Sequence, residues 1–151
     1  MKNFFKIIFT LIFTLCITGC SSSNKNDTFL YENKSLGFSM ELPSVIEEKY
    51  YIEEESLKMD GEIINSIYVK YKGEENDSNI VTFEEMSQDY WEKMQQEEGP
   101  KPIELKKSEN NRVVVMYPLQ SNPFEVGTDD YNTINEFQEQ SSCIVETFKF
   151  N

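Results

Sequence analysis

Residues 63–71 read Ile-Ile-Asn-Ser-Ile-Tyr-Val-Lys-Tyr, and this stretch indicates the fold more clearly than any other. Alternate residues of an extended chain share a face. One face of the stretch carries Ile63, Asn65, Ile67, Val69 and Tyr71. The Asp60-Gly61 pair that precedes it favours a tight turn between antiparallel strands. The stretch therefore predicts a β-strand that is entered from a hairpin.

Six further segments have the composition and alternation of strands. They are Phe29–Tyr31, Leu36–Leu42, Tyr50–Glu55, Ile103–Lys107, Arg112–Tyr117 and Thr147–Phe150. The segment Val113–Met116 is apolar on both faces, which predicts a central strand covered on both sides. We expect Phe38, Met40 and Ile67 to be buried with this strand.

Two segments show helical spacing instead. Met86, Tyr90, Trp91 and Met94 recur at that spacing and predict a helix over Ser87–Glu97. A second helix is predicted to begin near Thr128, because a hydroxyl followed by Asp129 and Asp130 suits the unpaired amides of a helix N-terminus. Its apolar face is formed by Tyr131, Ile134, Phe137, Ser141 and Ile144.

The segment Ile80–Met86 fits two structures. Val81 and Phe83 could face a core from a strand, or Thr82 could open a helix through a capping box. With either choice the chain has about seven strands and two helices. The predicted class is α+β, a mostly antiparallel β-sheet flanked by two helices in a single domain over residues 29–151.

The first twenty residues carry a targeting pattern. Lys2 and Lys6 precede an apolar run, Ile7–Ile17, that is too short to span a bilayer, and Ile17-Thr18-Gly19-Cys20 follows it. This ending resembles the lipobox of bacterial lipoproteins. The resemblance implies cleavage between Gly19 and Cys20 and a diacylglyceryl group on the Cys20 thiol. The alternative is an ordinary secretory signal that happens to contain a cysteine.

This interpretation divides the chain into a signal peptide, residues 1–19, a lipidated cysteine with a flexible tether, residues 20–28, and the domain. It places the protein at the extracytoplasmic face of the cell membrane. The whole chain has a net charge of −13, and removal of two lysines with the signal leaves 12 basic and 27 acidic residues, near −15. Such a charge excludes nucleic acid and anionic lipid headgroups as partners, so attachment is predicted through the covalent lipid.

The layout also resembles a known family. The segment Leu36-Gly37-Phe38-Ser39-Met40-Glu41-Leu42-Pro43, the Trp91 helix and the closing Ile144-Val145-Glu146-Thr147-Phe148-Lys149 resemble PsbP/Mog1-like domains. They are more similar still to small lipoproteins of Gram-positive anaerobes. The resemblance implies a central antiparallel sheet flanked by helices and no particular catalytic residue. The chain departs from the usual pattern after Pro43, where no tryptophan follows.

The composition excludes most of the residue combinations that catalytic sites use. The chain has no histidine and no glycine-rich phosphate loop, so Ser-His and Cys-His nucleophiles and histidine metal sites are excluded. Cys143 is the only thiol left in the mature domain. We expect it to be buried, although a reactive thiol is the alternative. No cofactor is predicted.

Carboxylates are the remaining candidates for catalytic or metal-binding groups. A glycosidase needs two of them across a cleft, and no local pattern selects a pair. The oxygen-rich segments Glu74–Asn79 and Gly127–Asp130 could bind calcium, but neither has the ligand spacing of a calcium loop. We therefore interpret them as a solvated loop and a capped helix. Tyr90 and Trp91 are expected to pack in the core, with sugar stacking as the alternative.

These observations favour a non-enzymatic binding module whose ligand, a protein or a small molecule, is unknown. The alternative is a carboxylate-dependent hydrolase of the glycosidase type. The candidate interaction residue is Phe124, in the long loop Pro118–Gly127. Either Leu119, Phe124 and Val126 fold back over the sheet edge, or Phe124 stays partly exposed and anchors a partner.

Overall fold

The computed structural model describes residues 27–151. Within that range there are eight strands and three α-helices. The strands are β1 (Thr28–Asn33), β2 (Phe38–Pro43), β3 (Tyr50–Met59), β4 (Glu62–Lys72), β5 (Asp77–Ser87), β6 (Ile103–Lys107), β7 (Arg112–Pro118) and β8 (Lys149–Phe150). The helices are α1 (Gln88–Gln96), α2 (Asp129–Gln140) and α3 (Ser142–Thr147), and a 3-10 turn covers Ser44–Ile46.

The strands form two antiparallel sheets. The larger sheet has the order β3-β4-β5-β7-β6, and the smaller one has the order β1-β2-β8. The predicted α+β class, mostly antiparallel sheet flanked by helices, is confirmed. The helix count differs from the prediction, because the second predicted helix breaks at Ser141 and continues as the separate helix α3.

The main core lies between the two sheets and under α2. Phe38 and Met40 from the small sheet meet Ile67 and Phe83 from the large sheet, and all four are almost completely buried. Ile134 and Phe137 of α2 belong to the same cluster. The predicted burial is confirmed for Phe38, Met40, Ile67, Ile134 and Phe137.

A second, smaller cluster lies on the opposite face of the large sheet, under α1. It consists of Ile64, Met86, Trp91, Val113 and Val115. The prediction that β7 is covered on both sides is therefore confirmed. Ile63 shares a face of β4 with Ile67 but is 54% exposed, because the main core cluster on this strand begins at Ile67.

Local signals explain most element boundaries. Asp60 and Gly61 both have positive φ, as a two-residue hairpin turn requires, and Asn111 does so in the turn between β6 and β7. The Ile80–Met86 ambiguity resolves as strand. The hydroxyl of Ser87, and not that of Thr82, accepts the capping hydrogen bond from the Tyr90 amide that opens α1.

Candidate functional site

A cavity of about 350 Å³ opens beside Phe124, between the loop after β4 and the loop that precedes α2. Its wall carries five carboxylate residues: Glu74, Glu75, Asp77, Glu125 and Asp130. No lysine or arginine of residues 27–151 lines it. We call it the Phe124 cavity.

Phe124 is half-buried and forms one wall of this cavity. Its ring packs edge-on against Tyr71, with ring centroids 5.5 Å apart, and contacts the main core. Leu119 also packs against the core, whereas Val126 is 77% exposed. The loop thus folds back at Leu119 and Phe124 but not at Val126.

Close packing against Gly73 fixes the ring of Phe124 from the other side. A methyl group added at Gly73 would lie 2.5 Å from Cε1 of Phe124 and 2.5 Å from the carbonyl oxygen of Asn76. Real side chains do not approach so closely. Glycine at this position therefore allows the ring and the loop after β4 to meet.

Asp130 joins the two loops to the core. Its Oδ1 accepts hydrogen bonds from the Tyr71 hydroxyl at 2.9 Å and the Lys49 ammonium at 3.1 Å. Its Oδ2 accepts one from the Glu74 amide at 2.7 Å. Since Thr128 already caps α2, Asp130 is free to hold the β4–β5 loop against the helix.

The charge of Asp130 is stabilised where it is buried. Burial alone would raise the pKa of Asp130, but the Glu74 amide, the Tyr71 hydroxyl and the Lys49 ammonium hold that pKa below its ordinary value. The same ion pair raises the pKa of Lys49. Asp130 therefore remains an anion and acts as a structural anchor.

Asn122 positions Phe124 from within its own loop. The Asn122 amide donates to the Tyr131 carbonyl at 2.8 Å and to the Asn135 side chain at 3.0 Å. Its oxygen accepts from the Phe124 amide at 3.1 Å. Sequence reasoning missed this residue, although an Asn directly before a Pro is a turn signal that could have indicated it.

The two oxygen-rich segments named as calcium alternatives meet at this cavity. Among the described residues, no group of three or more Asp, Glu, Cys or His side chains is arranged to hold a metal ion. Thr128 accepts the capping bond from the Tyr131 amide, as the capped-helix interpretation predicts. Both oxygens of Asp130 already accept bonds from protein donors.

Two more carboxylates, Glu84 and Glu85, are consecutive residues of β5, and their surroundings shift their pKa values in opposite directions. Glu85 is buried and accepts two hydrogen bonds of 2.8 Å from the Arg112 guanidinium and one of 2.8 Å from Asn65. Burial would raise the pKa of Glu85, but these donors lower it. Glu84 points to the other face, where burial raises its pKa and the hydroxyls of Tyr117 and Ser66 offset part of that rise.

The remaining sequence candidates are placed as follows. Trp91 is 3% exposed and donates to Glu104 at 2.7 Å, so its ring is not available for sugar stacking. Tyr90 is half-buried beside it.

Cys143 is buried, as predicted, and burial raises the pKa of its thiol. Gly19 and Cys20 lie outside the described residues.

Comparison with models of protein families, with curated proteins and with solved structures finds no match for this chain. The resemblance to PsbP/Mog1-like domains therefore stays a prediction. Across residues 27–151, none of the helices has the length and apolar character needed to cross a bilayer.

Proposed function

We propose that this protein is a lipid-anchored module at the extracytoplasmic face of the cell membrane that binds a small cationic ligand in the Phe124 cavity. The anchor rests on the lipobox-like ending at Cys20. The binding role rests on one observation, a cavity whose charged lining residues are all carboxylates. Its volume lies at the lower end of the range for small-molecule sites, about 300–1,000 Å³.

The geometry of the cavity suits binding of an amine better than catalysis of a reaction of that amine. Asp130 is engaged by three donors, and the other four acidic residues of the wall are exposed. Exposed carboxylates on a held loop can pair with an ammonium or guanidinium group, while the edge of Phe124 contacts its apolar part. The domain needs no catalytic group for this role.

The anchor is tested with a fatty-acid probe. Replacing Cys20 with Ser should abolish incorporation of the probe and leave the protein unprocessed or released, because the diacylglyceryl transfer needs the thiol. Cys16→Ser is the matched control and should label like wild type, since Cys16 precedes the cleavage site. Absence of label on wild type would contradict the anchor.

The cavity is tested by titrating purified full-length protein with small amines and their neutral isosteres. Glu125→Gln removes a charge from the cavity wall and should weaken amine binding several-fold, by roughly 1 kcal/mol. Glu139→Gln removes another exposed charge, from α2 outside the cavity, and should leave binding unchanged. Equal binding of amines and neutral isosteres would remove the cavity from consideration.

The alternative function is a carboxylate-dependent hydrolase, and one observation favours it. Glu84 is half-buried with a raised pKa, as a general acid requires. Glu55 occupies the same cross-strand row, two strands away with Ser66 between them. Strands lie about 4.8 Å apart, so the two residues stand roughly 10 Å apart at the backbone. Release of reducing ends from cell-wall glycan by wild type, lost in Glu84→Gln, would establish this alternative.

A further inference from the structure

The outer face of the large sheet is covered over only part of its length. Helix α1 packs on the end that carries Ile64, Met86 and Val113. Further along the same strands, Tyr117 packs at the edge of this cluster, and Tyr68 belongs to neither hydrophobic cluster. We call this part of the sheet, formed by Tyr68, Thr82, Glu84 and Tyr117, the open face.

The register places two tyrosines on either side of a small residue. Tyr68 on β4 pairs with Thr82 on β5, and Thr82 pairs with Tyr117 on β7. Strands about 4.8 Å apart put the two tyrosines roughly 10 Å apart at the backbone. Both are half-buried, and Thr82 beneath them is only 9% exposed. The Tyr68 hydroxyl donates to Glu55 at 3.4 Å, and the Tyr117 hydroxyl faces Glu84, so the two tyrosines flank a surface that carries both carboxylates.

Glu84 lies next to this row and carries a charge that the protein does not neutralise. In the part of the chain that the structure describes, no lysine or arginine forms an ion pair with it. Asp130 and Glu85, which are more deeply buried, pair with Lys49 and Arg112. A half-buried carboxylate faced only by hydroxyls is a site that a cation would stabilise.

At the neighbouring end of the same face, lysines of this chain lie beside a tyrosine ring and a carboxylate. There Lys72 places its ammonium 5.5 Å from the ring centroid of Tyr51. Lys70 pairs with Glu53 at 3.0 Å. Lysines of this chain thus supply cations to that end of the face, whereas within residues 27–151 no lysine or arginine pairs with Glu84 or lies over the ring of Tyr68 or Tyr117.

We propose that the open face docks a basic segment of a partner protein, with one lysine or arginine side chain seated on Glu84 between Tyr68 and Tyr117. Charge complementarity selects this occupant. The mature chain carries about fifteen net negative charges, which steer a basic partner toward it, and Glu55 adds a further carboxylate to the row of Glu84. A groove of about 250 Å³ beside Thr82, Tyr117 and Leu119 continues the face and receives neighbouring apolar side chains.

The test uses full-length protein in neutral detergent and a fluorescent, end-capped peptide of alternating glycine and arginine. Glu84→Gln should weaken binding more than about tenfold, because it removes the carboxylate on which the guanidinium is seated. Glu92→Gln, an exposed position on α1, is the matched control and should bind like wild type. Tyr117→Phe should bind within about twofold of wild type, and Tyr117→Leu should bind several-fold more weakly.

A peptide with citrulline in place of arginine should not bind, since it keeps the shape of the side chain and lacks the charge. Because the Phe124 cavity can also pair with a guanidinium group, the Glu84→Gln comparison is repeated in a Glu125→Gln background, where the more than tenfold loss should persist, so the two sites succeed or fail separately. Wild-type affinity in Glu84→Gln would overturn the proposal. Binding of a chitin oligosaccharide without binding of the peptide would also overturn it, by assigning the open face to a glycan.

Discussion

Asp130 shows how one side chain holds two loops in place. Asp130→Asn keeps one acceptor and presents an amide to donors, so we expect a loss of about 2 kcal/mol in the free energy of unfolding at pH 7. Asp129→Asn changes an exposed carboxylate in the same helical turn and should cost less than about 0.5 kcal/mol. Urea unfolding of both variants measures the difference.

The effect of Asp130 should also depend on pH. Its pKa in the folded protein lies below the ordinary value of 3.8. Stabilisation by the charged form is complete above that ordinary value and is lost as the pH falls through the folded pKa. The difference between wild type and Asp130→Asn should therefore shrink below about pH 4. A difference that stays constant down to pH 2 would contradict the anchoring role.

Glu84 should behave in the opposite way. Its pKa is raised above 4.5 in the folded protein, so wild-type stability falls as the pH rises from 4.5 through the folded pKa. We expect Glu84→Gln to be more stable than wild type at pH 7 and to lose that advantage toward pH 4. Thermal melts across this range test it, with Glu92→Gln as the exposed control. A variant less stable than wild type at pH 7 would show that the charge is already well compensated.

At the scale of the element, the loop after β4 depends on a residue without a side chain. Gly73→Ala would force a methyl group against Phe124 and the Asn76 carbonyl, and we expect a loss of about 1–3 kcal/mol. Chemical unfolding measures the loss. In a Phe124→Leu background the ring atom in contact is absent, so the added cost of Gly73→Ala should fall. An alanine variant with wild-type stability would mean that the loop moves freely.

The elements also show how far sequence reasoning reaches. Turns and caps that rest on a local signal, such as Asp60-Gly61 and the hydroxyl of Thr128 before α2, were predictable. The full length of β3 was not, because Glu53–Glu55 weaken the strand signal and pairing with β4 over ten positions extends it. The exposure of Ile63 depends on where the main core ends along β4, which no local pattern encodes.

At the scale of the whole molecule, the sequence predicted the fold class and named Phe124 as a candidate, but it did not indicate the acidic cavity beside that residue. The acidic wall of the Phe124 cavity combines residues from two loops about fifty positions apart in the chain. The open face combines strands β4, β5 and β7 through their register. Because both sites arise from tertiary placement of common residues, composition and spacing could not select them from 27 acidic residues.

The smaller sheet has a consequence for the order of folding. Strand β2 receives its second partner from β8, and Asn151 then donates to the Gly37 carbonyl and accepts from the Ser39 hydroxyl. These contacts join positions more than a hundred residues apart, so the sheet closes only after residues 149–151 have been synthesised. Folding of the domain should therefore be slow for its size, because its closing contacts are among the most distant in sequence.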